Sequence, residues 1–194
     1  MSSVPIPAWN ANGVLPPINA AQPTSAERSP YLVSLTDFVL RFGTTADRRR
    51  ILDGFLRYRE ALHSVGLDTG FQWIDGSYLE DVETTQSRSP GDIDVVTFYR
   101  LPPGRSQADI LGSHPGLFPT SAASLKALKL QFFVDGYVQG LDSSPESVAH
   151  KSAYWYSMWS HQRNLAWKGF LEVDLAQHDD AAARQALVSM SNQP

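Results

Sequence analysis

Asp92 and Asp94 stand two residues apart in Gly91-Asp92-Ile93-Asp94-Val95-Val96, a run otherwise rich in β-prone residues. Alternate side chains of a strand point to one face, so the two carboxylates would lie parallel while Ile93 and Val95 turn into the core. Like charges held that close repel unless a cation lies between them, and hard oxygen ligands suit a divalent ion such as magnesium, which also binds phosphates. Upstream, Ile74-Asp75-Gly76-Ser77 supplies a second half. Glycine permits a tight turn that exposes backbone N–H groups, and the short Ser77 hydroxyl can bond a phosphate oxygen. An aspartate pair at a strand start can also merely cap a turn, and Ser77 can be an ordinary helix cap. Gly76-Ser77 ahead of the pair is what favours the metal reading.

The elements that must position these residues follow from periodicity. Thr44-x-x-Asp47 can open a helix in which Ile51, Phe55, Tyr58, Leu62 and Val65 recur at helical spacing until Gly66 ends it. Phe71–Ile74 and Asp92–Tyr99 read as strands joined by a polar excursion from Glu80 to Gly91. Ser121–Leu130 suits a helix, and Phe132–Val138 reads as a further strand. Ser143-x-x-Glu146, with Pro145 in the first turn, predicts a helix to about Ser160 whose Tyr154, Trp155, Met158 and Trp159 pattern as core. Lys168–Leu175 alternates as a strand, and Asp179–Met190 fits a terminal helix. Strands interleaved with helices predict an α+β class, a mixed sheet flanked by helices. Residues 1–30 carry Pro5, Pro7, Pro16, Pro17, Pro23 and Pro30, which predicts an extended arm ahead of a single domain over 31–194.

Composition narrows the chemistry. The chain lacks cysteine, which excludes thiolate zinc sites, disulfides and cysteine nucleophiles. The histidines His63, His114, His150, His161 and His178 are scattered without ligand spacing. A formal net charge of −4 argues against sequence-independent binding along a nucleic-acid backbone, and Arg48-Arg49-Arg50 reads as the solvated face of a helix. No apolar run of membrane-spanning length and no secretory signal is visible, so a cytoplasmic protein without a membrane partner is expected.

Gly76-Ser77 followed by Asp92-Ile93-Asp94 resembles the signature of the nucleotidyltransferase superfamily, the group of DNA polymerase β, minimal nucleotidyltransferases and protein AMP-transferring enzymes. The match covers roughly residues 71–138, with a somewhat enlarged loop around Glu80–Ser89. More of the chain is similar to a group of uncharacterised bacterial nucleotidyltransferase-like proteins. That likeness rests on Ile6-Pro7-Ala8-Trp9-Asn10, Gly13–Pro17, Arg41-Phe42-Gly43 and Arg163 with Lys168-Gly169. The resemblance implies a nucleotidyltransferase-like fold and transfer of a nucleoside monophosphate from a nucleoside triphosphate to a hydroxyl of protein, RNA or a small molecule. Asp92 and Asp94 would hold two magnesium ions, and Gly76 and Ser77 would hold the phosphates. The superfamily pattern expects a third carboxylate on a later strand, for which Asp135 is preferred and Asp174 competes. Arg163 and Lys168 either steady the triphosphate or lie in solvent. Related small transferases occur in toxin–antitoxin and phage-defence loci, which implies a cognate partner protein. The alternative is an inactive nucleotide- or partner-binding module of the same fold, and a two-metal phosphohydrolase would use the same carboxylates with water as acceptor.

Overall fold

The anchor of the domain is the helix α2 (Ala46–Ser64), whose Ile51, Leu52, Phe55, Tyr58 and Leu62 are completely shielded from solvent. Burying each such side chain stabilises by roughly 1.5–3 kcal/mol. Its N-cap is Thr45 rather than the expected Thr44: the Thr45 hydroxyl accepts the Arg48 N–H at 3.2 Å. The structure, a computed structural model, describes residues 3–192. Residues 1–2 and 193–194, at the ends of the expected arm and domain, lie outside the described residues.

The fold is α+β. Five strands form one mixed sheet: β1 (Tyr31–Val33), β2 (Gly70–Asp75), β3 (Ile93–Tyr99), β4 (Val134–Gly140) and β5 (Leu171–Asp174), in the order β1-β5-β2-β3-β4. β2 runs antiparallel to both β3 and β5, whereas β3 and β4 are parallel, joined by a crossover containing α4 (Gln107–Ser113) and α5 (Ala122–Phe132). One sheet face, with Ile74, Val95 and Gly136 in register, is covered by α2 and α5, whose Tyr58 and Leu128 approach Gly136. α1 (Leu35–Phe42) and α7 (Asp180–Ser191) complete that layer. Phe38 of α1 meets Phe55 edge-on, and Asp180 pairs with the buried Arg59 at 2.7 Å. The other face is partly covered by α6 (Pro145–Trp159). Its Trp155 and Trp159 pack on Tyr137 and Phe170, with ring centroids 4.8 and 6.0 Å apart.

Several local expectations shift. Phe132 is the last residue of α5 and Phe133 its left-handed cap (φ 54°), so the strand begins at Val134 rather than Phe132. Phe132 packs on Tyr58 at 5.8 Å, and Gly54 lets the end of α5 lie against the α2 backbone, where a side chain would collide with the Phe132 carbonyl. Tertiary packing here overrides β propensity. α6 is capped by Ser144, not Ser143, and the polar excursion after β2 folds a short helix α3 (Val82–Gln86). Residues 3–30 contain no long element but are tied to the domain. Val14 and Leu15 are buried, the Gly169 N–H donates to the Leu15 carbonyl, and the Asp81 N–H donates to the Gly13 carbonyl.

Candidate metal centre

The register places Asp75, Asp94 and Asp135 side by side on β2, β3 and β4, at one end of the α6-covered face. Asp92 lies one residue before β3, and being two residues from Asp94 it returns to the same face. Carboxylate oxygens of Asp92, Asp94 and Asp135 all lie within 4.8 Å of one another. Asp174, the competing third carboxylate, is not in this cluster. It sits at the opposite end of the face, opposite Phe71, where its side chain accepts its own Ala176 N–H at 2.9 Å.

The cluster carries more negative charge than its surroundings answer. Asp94 has its pKa raised to about 7, first by burial and then by repulsion from Asp75 and Asp135. Asp135 Oδ1 is buried without a hydrogen-bond partner among the described residues. Among the described residues, the one cation in contact with Asp92 and Asp135 is the half-exposed Lys129 of α5, paired closely with Asp92 and standing 3.7 Å from Asp135. Oxygen-only donors, an orphaned carboxylate oxygen and an ammonium already drawn to the gap fit a hard divalent cation.

Gly76 closes the cluster on the β2 side. Its backbone (φ 89°, ψ −175°) is in a region essentially reserved for glycine, and an added Cβ would stand 2.7 Å from Asp94 Oδ2. Ser77 begins the 3-10 turn Ser77–Leu79, whose first N–H groups lack intrahelical acceptors. Gly76→Ala is therefore expected to push the Asp94 carboxylate aside and strain the turn, costing about 2–3 kcal/mol by melting and at least tenfold in magnesium affinity by calorimetry.

The turn is clamped from three sides by residues distant in sequence. Arg48 is fully buried rather than solvated, donating to the Tyr78 carbonyl at 2.7 Å and the Glu80 carbonyl at 2.6 Å while pairing with Glu83. The Trp9 indole N–H donates to the Leu79 carbonyl at 2.7 Å, and Arg41 stacks over the Trp9 ring. Lys168 is buried too, its ammonium 2.9 Å from Asp75 and 3.1 Å from Glu80, so it serves neither solvent nor a free phosphate. Arg163 is exposed, and its charge reaches Asp94. Trp9, Arg41, Arg163 and Lys168 lie in segments that carry the resemblance to uncharacterised nucleotidyltransferase-like proteins. Nothing in local spacing marks Arg48 or Glu80.

Among the described residues no helix is long and apolar enough to cross a membrane. No curated protein and no solved structure matches the chain. Residues 7–174, which take in most of the arm, the Gly76 turn and every member of the acidic cluster, match a family of unknown function (DUF6932), and the chain belongs to that family.

Proposed function

We propose that the protein is a magnesium-dependent nucleotidyltransferase that moves a nucleoside monophosphate from a nucleoside triphosphate to a hydroxyl acceptor on protein, RNA or a small molecule. The observation that carries this reading is the convergence of Asp92, Asp94 and Asp135 within 4.8 Å beside the glycine-only turn at Gly76. Asp92 and Asp94 would hold both ions and Asp135 the second. When bound, two magnesium ions supply stabilisation of the attacking and leaving oxygens in an in-line displacement. Gly76 and Ser77 present N–H groups and a hydroxyl to the phosphates, and Arg163 lies where it can neutralise part of their charge. The acceptor oxygen bonds to the α-phosphorus as the bond to the β-phosphate oxygen breaks. The acceptor proton passes to the unpartnered Oδ1 of Asp135, and pyrophosphate leaves. A cytoplasmic setting with a cognate partner protein belongs to the same proposal.

One observation favours a second reading, an inactive nucleotide- or partner-binding module: Lys129 already bridges Asp92 and Asp135. Lys129 is half exposed on a long flexible stem, however, so an entering divalent ion can displace it at little cost. The test is mass spectrometry of a cell lysate incubated with the protein, magnesium and labelled nucleoside triphosphates, with pyrophosphate release followed in parallel. Asp135→Ala is expected to keep nucleotide binding and to lower transfer by about 10²–10⁴-fold, because acceptor activation fails. Label on no acceptor, with nucleotide binding intact, would establish the binding module. Release of phosphate to water in place of pyrophosphate would establish a hydrolase.

A further inference from the structure

Two residues beyond Asp135 on the same strand and the same face stands Tyr137. It is 37% exposed although its ring packs on Trp155 with centroids 4.8 Å apart. Tyr154 on α6 is 54% exposed and meets Trp155 nearly edge-on at 5.3 Å. Trp155 itself is 9% exposed and is backed by Trp159 at 5.2 Å. The four aromatic residues do not divide as a core cluster would. Two indoles form a buried base, and two phenol rings are held on it facing solvent. Trp155 fixes both tyrosines, so little side-chain entropy remains to be lost when a flat ligand settles on them.

The position of this shelf is informative. Along β4, Tyr137 lies about 7 Å from Asp135, the span that a ribose bridges between a phosphate and its base. Sequence-tolerant stacking on an aromatic face is how proteins hold bases without reading their edges.

We propose that Tyr137 and Tyr154, seated on Trp155, form a stacking shelf for the nucleobase of a nucleotide whose phosphates occupy the Asp92–Asp94–Asp135 centre. This inference rests on the proposed transferase reading, since it needs phosphates at that centre. It adds that the donor is held by its base as well as its phosphates, and that selection among bases is weak because no buried polar group is needed to read an edge.

The test titrates the full chain with ATP and, in parallel, with inorganic tripolyphosphate, both in magnesium, by calorimetry and by tryptophan fluorescence. ATP is expected to bind about tenfold or more tightly than tripolyphosphate and to quench Trp155, which tripolyphosphate does not. Tyr154→Ala, at an exposed position that folding tolerates, should weaken ATP about five- to tenfold and leave tripolyphosphate unchanged, while Tyr154→Phe retains the ring and the affinity. Equal affinity of the wild-type chain for the two probes, undiminished ATP binding by Tyr154→Ala, or an equal loss of both probes would each overturn the shelf and leave the metal centre standing. Failure of the wild-type chain to bind tripolyphosphate in a magnesium-dependent way would overturn the transferase reading and the shelf together.

Discussion

Asp94→Asn is expected to raise the melting temperature of the metal-free chain at pH 8 by roughly 3–10 °C, and to abolish magnesium-dependent nucleotide binding. The sign follows from linkage. Asp94 has a folded-state pKa of about 7, above its ordinary value of 3.8, because of burial and of repulsion from Asp75 and Asp135. This is the reverse of a salt-bridged aspartate. Between about pH 4 and pH 7 the folded state holds more protons, so stability falls as the pH rises through that window and stays low above it. Removing the charge restores roughly 1–3 kcal/mol at pH 8 and nothing below pH 4, the remainder being the cost of burying the amide. Magnesium with nucleotide inverts the ranking: at a hundredfold excess over Kd the wild-type chain gains about 2.7 kcal/mol that the variant does not. Melting at pH 4 and pH 8, with and without magnesium ATP, checks all of it. A variant less stable than wild type at pH 8 without metal would mean that Lys168 and Arg163 already balance the cluster.

The parts of this site written in short-range pattern were readable, and the parts that depend on distant partners were not. The i, i+2 spacing of Asp92 and Asp94 fixes a shared face wherever the segment is extended, and Gly76 before Ser77 announces a turn that only glycine can make. α2 was equally legible, since its apolar stripe repeats over four turns. Ser34 with Leu35, Phe38, Val39 and Phe42 carried the same signal for α1, at positions that the sequence reading passed over. Arg48 is different. In sequence it is one of three consecutive arginines, and only the Glu83 carboxylate and the Tyr78 and Glu80 carbonyls, brought to it by the fold, make its burial tolerable. The Phe132-Phe133 pair suits either a strand or a helix end, and the decision lies with Tyr58 on another element. Tyr154 and Trp155 are adjacent, yet one is half exposed and the other nearly buried. Trp155 and Trp159, four residues apart, share the stripe that faces the sheet and Tyr154 stands off it, but which stripe is buried is decided by how α6 lies on β4.

The lysine behind the turn carries the largest expected stability effect. Lys168 enters from the residue segment before β5, and its ammonium lies between Asp75, which precedes Gly76, and Glu80, which follows the 3-10 turn. Gln162 donates to the other oxygen of Glu80 at 2.8 Å, so both ends of the Gly76 turn are fastened to one loop. Burial alone would lower the Lys168 pKa, but the Asp75 and Glu80 carboxylates outweigh it and the net direction is up. Asp75 nevertheless stays raised to about 6, because one ammonium shared between two carboxylates does not recover the cost of burying Asp75. The ion pair is therefore charged at neutral pH, with Asp75 the member nearest to protonation. Lys168→Met keeps the aliphatic stem and removes the charge, leaving the buried carboxylates without their counter-ion. A loss of about 3–5 kcal/mol at pH 8 is expected. The contribution of a raised lysine persists below its unfolded pKa and is lost only in alkali, so the Lys168 contribution itself is constant near neutrality. In the variant, Asp75 loses the ammonium that lowers it and rises further, so the penalty is absent while Asp75 is protonated and grows as the pH rises. The gap between the two chains should thus narrow to about 1 kcal/mol by pH 5. Denaturant unfolding across pH 5–8 measures it, and a pH-independent gap would show that Lys168 acts through packing alone. Lys168→Arg, which keeps the charge but not the compact shape, should fold better than Lys168→Met yet still loosen the turn and weaken nucleotide binding, because a planar guanidinium cannot sit between both carboxylates as a point charge does.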